Sequence, residues 1–304
     1  MMRQQTIRRQ VSLDGIGLHS GKPARITLSP APPDSGVVFR TGPDGDPIQA
    51  TPESVVDSHY ATTVGRNGTR IQTVEHLMAA AAGLGVDNLH VEVDGTEVPA
   101  ADGSAKPFVA LLASAGRVQQ PARRRPLEIL HPLRVGEGGR WIEIVPAPAF
   151  RVSYTLDNDH PAIGVQVLSC LPTEEVFVSG FAPARTYGFL RDLGTMRKNG
   201  LALGGSLDNA IVVGKRGTVN GLRFKDEFVR HKVLDLIGDL ALLGRPIKGH
   251  VIARNGGHAL NFQLVTAIQR ALELARRPAE VAAVRAVPAE RVESFAPEPG
   301  LATL

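Results

Sequence analysis

The hydrophobic and polar positions change period several times along the chain, and each change predicts an element. Thr6–Leu13, Ala24–Leu28 and Gly36–Phe39 read as strands, separated by the Gly, Pro and Asp clusters Pro30–Asp34 and Gly42–Pro47. Alternation with a period of two turns one face of a strand toward a core. At Thr73–Ala82 the pattern becomes helical and apolar, with Thr73 as N-cap and Gly83 and Gly85 as the stop. Asn88–Val93 returns to alternation, and Pro107–Ala115 reads as a second helix.

Gln119–Pro126 then brings together polar residues, two prolines and three consecutive arginines, the composition of a solvated connector. Beyond it the order repeats. Strands are expected at Leu127–Leu130, Trp141–Pro146, Arg151–Leu156, Gln166–Cys170 and Gly249–Arg254, and helices at Lys225–Leu243 and His258–Arg276. Both halves place a histidine-bearing helix before a strand, around His76 and around His231, which hints at an internal duplication of an α+β unit. The expected domains are 1–121 and 127–278, with a linker at 122–126 and a loose Pro-, Ala- and Glu-rich tail at 279–304.

A length of 304 residues suits this two-domain reading, at roughly 150 residues per domain. The net charge, 34 − 30 = +4, is too small and dispersed to argue for nucleic acid, and at 5% the aromatic residues form no stacking platform. The single cysteine, Cys170, excludes a disulfide framework and any cysteine-rich metal site. The basic start leads into no apolar export segment, and no apolar run reaches the ~20 residues of a membrane span. A cytoplasmic protein without a transmembrane segment is therefore expected. Two glycine-rich stretches imitate phosphate loops. Gly15–Gly21 leaves through Pro23 into a strand pattern instead of a helix, and Gly214–Thr218 lacks the upstream glycine.

The chemistry concentrates in Phe228–Leu240. His231, Asp235 and Asp239 recur every four residues, which on a helix places neighbours within about 40° of each other. A His and a carboxylate so spaced can share one divalent ion, although the same spacing suits a plain helical hydrogen-bonded pair. A second signal lies far away in Thr73–Met78, where Glu75 precedes His76 at the start of an apolar helix. A hydrolytic zinc site needs three protein ligands, an open position and a carboxylate near the attacking water. His76, His231 and Asp235 supply the ligands, and Glu75 the general base. His258, presented by Gly256–Gly257, is the candidate cation for an oxyanion and a leaving amine, with Asp239 to orient it. Taken alone, His258 suits a helix cap or a core position equally well.

These residues fall within a longer resemblance. From about Val11 to Ala271 the chain resembles the UDP-3-O-acyl-N-acetylglucosamine deacetylases, zinc amidases of lipid A biosynthesis in Gram-negative bacteria. The match runs through residues 15–21, 73–77, 102–108, 184–189, 203–210, 223–235 and 256–261, in order. The resemblance implies an α+β fold of two similar domains with helices face to face, and a βαβ insert near 190–213. It implies one Zn2+ per chain on His76, His231 and Asp235, with Fe2+ as the alternative ion. Glu75 is then the base, His258 the cationic partner, Asp239 its orienting carboxylate and Thr186 the oxyanion donor. Lys232 and Tyr187 would meet the sugar or diphosphate. Gly205 and Ser206 join the substrate-binding set, and Leu190, Leu193, Ala202, Leu207 and Val212 would line a passage for the 3-O-acyl chain. Tyr187 stands where Phe is common, Ala202 where Cys is often seen, and Asn255 where some members carry Lys. The expected partners are the UDP-sugar and water, with transient contact at the inner-membrane surface, and the expected state is a monomer. Two competing readings are an amidohydrolase of the same fold acting on another acylated sugar or nucleotide, and a non-catalytic UDP-sugar-binding module.

Overall fold

The computed structural model describes residues 2–276. The described residues up to Ala267 form one compact unit; Ile268 begins a second, described only as the last turns of helix His258–Arg276. The tail expected at 279–304 lies outside the described residues.

Two five-stranded sheets dominate. In spatial order the first contains Val11–Ile16, Pro23–Pro30, Leu89–Asp94, Val37–Thr41 and Ile48–Gln49. The second contains Leu133–Glu137, Arg140–Val145, His250–Arg254, Arg151–Asn158 and Gly164–Cys170. In both, the third strand in space is antiparallel to the second and parallel to the fourth. In both it is also the last to arrive along the chain. The hint of duplication thus has a structural counterpart in strand order and strand sense. Alternation orients each sheet: Ala24, Ile26 and Leu28 are buried on one face, and Val152, Tyr154 and Leu156 do the same in the second.

A parallel pair requires a long crossover, and each half fills it with an insert followed by a helix. In the first half the insert is a three-stranded sheet of Val55–Asp57, Thr63–Arg66 and Thr69–Ile71, and the helix is Glu75–Gly83. In the second, parallel strands Tyr187–Phe189 and Ile211–Val213 flank the short helix Leu193–Lys198, before helix Glu227–Leu240. The expected βαβ insert is therefore present.

Glu75 through Ala81 are all buried, as befits a helix apolar on every side. This helix packs on Glu227–Leu240. The approach is backbone to backbone, because a Cβ on Gly238 would lie 2.1 Å from the carbonyl oxygen of Glu75. No side chain fits there.

Three local expectations need correction. Thr6–Leu13 is two strands, Arg3–Ile7 and Val11–Ile16, broken at 8–10. Arg3–Ile7 pairs antiparallel with Arg117–Arg123, so Gln119–Arg123 is strand where a solvated connector was expected. The polar signal there misled because Gln120 is buried but satisfied, donating to Ala31 O (2.8 Å) and accepting from Asn88 Nδ2 (2.7 Å). Thr73 is not the N-cap. Val74 holds that position, while Thr73 sits at φ +61° and its hydroxyl donates to Glu97 Oε1 at 2.9 Å.

In an exposed helix interior, Gly→Ala would stabilise by about 1 kcal/mol. At Gly238 the sign should reverse: Gly238→Ala is expected to destabilise by about 1–3 kcal/mol through overpacking. A lower urea midpoint at unchanged slope would show this; a raised midpoint would contradict the close approach.

Candidate metal centre

The helix crossing at Gly238 brings Glu75 and His76 beside His231, Asp235 and Asp239, and all five are buried. His76 Nε2 lies 3.5 Å from Asp235 Oδ1, and His231 Nε2 lies 3.3 Å from the same oxygen. The two imidazole rings meet edge to face, with centroids 5.0 Å apart. One ligand atom from each of His76, His231 and Asp235 falls within 4.8 Å of the others, close enough for a single ion.

The donor chemistry fits a divalent metal. His231 Nδ1 is 3.1 Å from the carbonyl oxygen of Ala184, which assigns the proton to Nδ1 and leaves the Nε2 lone pair facing Asp235. Burial drives the His231 pKa down to about 3 against the pull of Asp235, so the ring is neutral near pH 7, as a ligand must be. Burial would raise the Asp235 carboxyl, yet His231, Lys232 and His76 hold it well below the usual range. Lys232 Nζ donates to Asp235 Oδ2 at 3.0 Å, while Oδ1 is buried and has no hydrogen-bond partner among the described residues. An ionised, buried oxygen between two imidazole nitrogens is a donor set that suits a cation. His76, His231 and Asp235 can hold one divalent metal ion.

Beside the triad lies a second set of charges. His258 Nδ1 is 2.8 Å from Asp239 Oδ2, which also accepts from Asn261 Nδ2 at 2.8 Å. Its other ring nitrogen, Nε2, is 3.8 Å from Glu75 Oε1 and 3.9 Å from Asp235 Oδ2. Burial disfavours the His258 cation, but Asp239, Asp235 and Glu75 outweigh it and raise the pKa to about 9. Burial also raises Glu75, against His258 and His76. A carboxylate with raised pKa and a cationic imidazole thus stand beside three residues that can hold a metal ion.

The comparisons decide the family. The family model described as UDP-3-O-acyl N-acetylglycosamine deacetylase matches residues 4–270. The chain belongs to this family. A relative from Myxococcus xanthus, named UDP-3-O-acyl-N-acetylglucosamine deacetylase, is 50% identical over 266 residues, 86% of this chain and 85% of the relative. Proteins of the same name from Oleidesulfovibrio alaskensis and Syntrophotalea carbinolica are 46% and 45% identical. They cover 95% and 88% of this chain, and 98% and 88% of their own lengths. The family membership accounts for the α+β fold with its βαβ insert.

The remaining predicted residues fall at varying distances from the cluster. Thr186 belongs to the segment that supplies the Ala184 carbonyl, and its N–H donates to Gly103 O at 2.8 Å. Among the described residues no hydrogen bond joins its hydroxyl to the triad. Tyr187 packs edge-on to Phe228 at 4.9 Å, with Lys232 Nζ 5.7 Å from its ring centroid. Ala202 is buried at φ +54°, whereas Leu190, Ser206 and Leu207 are exposed, and Leu193, Gly205 and Val212 are half-buried. A cavity of about 240 Å³ lies at the far ends of the two central helices, between Ala82 and Leu240, and none of these insert residues lines it.

Three features escaped the sequence reading. Lys232 was expected only at the sugar or diphosphate, and its ion pair with Asp235 was missed although the three-residue spacing places the two on one helical face. Gly15–Gly21 does bind an anion, but an internal one: Glu97 accepts the N–H groups of His19 and Ser20, and a Cβ on Gly17 would collide with it. Thr62, buried beside Glu75 and Asp239, had no sequence signal at all.

Replacing His76, His231 or Asp235 by Ala is expected to lower bound divalent metal from one per chain to well below it after dialysis. Glu75→Gln should retain the full equivalent. Elemental analysis of the four variants tests the assignment, and stoichiometric metal in His231→Ala would sink it.

Proposed function

We propose that this chain hydrolyses the 2-acetamido group of UDP-3-O-acyl-N-acetylglucosamine, releasing acetate and a free 2-amine, a step of lipid A biosynthesis. The observation that carries the reading is the placement of buried Glu75 and half-buried His258 beside the His76–His231–Asp235 triad, with His258 Nε2 3.8 Å from Glu75 and 3.9 Å from Asp235. The name printed for the relatives supplies the substrate.

The ion is assigned as Zn2+, one per chain, with Fe2+ as the alternative that a two-histidine, one-carboxylate set accepts. When bound, zinc supplies a Lewis acid that polarises the amide carbonyl and lowers the pKa of water toward ~7. Glu75 is the general base. Its Oε2 is tied by the Thr62 N–H at 3.0 Å, which leaves Oε1 to take the proton of the attacking water. His258, cationic with a pKa of about 9, offsets the charge that develops on the acetyl oxygen. Thr186 adds a hydroxyl donor to that oxygen. The carbon–nitrogen bond then breaks, and the amine leaves with a proton from Glu75 or His258.

Lys232 keeps Asp235 ionised and offers positive charge to the sugar or diphosphate. Tyr187, Gly205 and Ser206 contact the hexosamine side, and Leu190, Leu193, Ala202, Leu207 and Val212 receive the acyl chain. In this reading the domain boundary falls at 122–126, with helix Glu75–Gly83 entering the site from the first domain and helices Glu227–Leu240 and His258–Arg276 from the second. The enzyme is a cytoplasmic monomer that meets the inner-membrane surface only transiently. Among the described residues no helix is long and apolar enough to cross a membrane.

Acetate release tests the proposal. Thr186→Ala should lose roughly 10²–10³ in turnover, the cost of one oxyanion donor, and Glu75→Ala should lose more while still holding metal. Hydrolysis should also require the 3-O-acyl chain. Equal rates on the acylated and unacylated UDP-sugars would overturn the substrate assignment, and wild-type turnover in Glu75→Ala would overturn the base.

A further inference from the structure

Thr62 lies in the first crossover, immediately before strand Thr63–Arg66, and is 2% exposed. Its three polar groups are all engaged at the site. The N–H donates to Glu75 Oε2 at 3.0 Å, and the carbonyl accepts the N–H of Val74, just before the Glu75 helix, at 3.2 Å. The hydroxyl meets Asp239 Oδ1 from the other half of the chain and lies 3.3 Å from His258 Nδ1. The Thr62 hydroxyl donates to Asp239. Its lone pairs then face His258 Nδ1, whose shorter bond goes to Asp239 Oδ2 at 2.8 Å.

We propose that Thr62 is a positioning residue that locks the Glu75 carboxylate to the Asp239–His258 pair. The inference rests on the reading of Glu75 and His258 as the groups that handle protons in the proposed deacetylation. Glu75 enters the site on one helix and Asp239 on another, and His258 begins a third. Thr62 is bonded to all three side chains. Asn261 secures Asp239 only through Oδ2, the oxygen that also serves His258. The Thr62 hydroxyl secures Oδ1, so both carboxylate oxygens are held and the plane of the group is set. That plane fixes the tilt of the His258 ring, and with it the direction of Nε2 toward Glu75 and the reacting carbonyl. The backbone bond does the same for Glu75 by occupying Oε2. Valine has nearly the shape of threonine and keeps the backbone N–H, so Thr62→Val removes only the hydroxyl contribution. Such groups must be held within fractions of an ångström to act in the transition state, so their loss registers in kcat before binding.

Thr62→Val is expected to lower kcat roughly 10- to 100-fold, the range for a lost hydrogen bond to a charged group. KM for the acylated UDP-sugar should change less than about 2-fold, bound metal should stay at the wild-type value, and Tm should fall by only a few degrees. Thr62→Ser, which restores the hydroxyl, should recover most of the rate. Thr62→Val added to Asp239→Asn should cost little beyond Asp239→Asn alone, because both act through one bond. If the valine variant does not fold, Thr62→Ala removes the same hydroxyl with less bulk and should show the same loss of kcat. Wild-type kcat in Thr62→Val, a serine variant as slow as the valine one, or full additivity with Asp239→Asn would each overturn the role. Glu75→Gln measured alongside separates the two levels. An inactive Glu75→Gln with a fully active Thr62→Val removes the Thr62 role alone, whereas an active Glu75→Gln removes the base assignment and the Thr62 role with it.

Discussion

Two helices from different halves of the chain touch backbone to backbone where Gly238 meets the carbonyl of Glu75, with no room for a Cβ between them. This contact carries Glu75 and His76 into the row formed by His231, Asp235 and Asp239, and the chemistry follows from that proximity. Three carboxylates and three imidazoles enclosed together would be prohibitive unless each charge found a partner. Lys232 compensates one oxygen of Asp235, while Asp239 is met by His258, Asn261 and Thr62. The second oxygen of Asp235 lies 3.5 Å from His76 Nε2 and 3.3 Å from His231 Nε2 and, among the described residues, has no hydrogen-bond partner. His76, His231 and Asp235 together make a donor set that suits a divalent cation.

The duplicated architecture explains how two half-sites become one. Each half lays down the same strand order and reaches its last strand through an insert and a helix. The helices carry different chemistry: an apolar cylinder with Glu75 and His76 at its start, and an amphipathic helix with a polar stripe from His231 to Asp239. The inserts have diverged as well. The first is a small antiparallel sheet that delivers Thr62 to the cluster, and the second is a βαβ piece with exposed leucines at 190, 203 and 207.

Much of this arrangement was legible from the residues in order. The four-residue recurrence of His231, Asp235 and Asp239 is a property of helical geometry and survives folding unchanged. The Glu75–His76 pair stood out because a polar dipeptide opened an otherwise apolar helix. What could not be read depends on contacts between residues far apart in the chain. Thr73 has the composition of an N-cap but is held at positive φ while its hydroxyl serves Glu97, so tertiary bonding overrode a local preference. The glycine-rich Gly15–Gly21 resembled a phosphate cradle because it binds a carboxylate of the protein itself. Gln120 looked like connector sequence until Asn88 and Ala31 were seen to satisfy it. In each case a polar residue buried with its partners carries the same letters as one left in water.

The most direct test of the account is X-ray absorption at the metal edge of the purified protein, paired with an anomalous map from crystals. One ion is expected, coordinated by an imidazole nitrogen from residue 76, another from residue 231 and a carboxylate oxygen from residue 235, with a fourth position held by a light atom. An ion seated elsewhere, or a first coordination sphere lacking two imidazoles, would contradict the account.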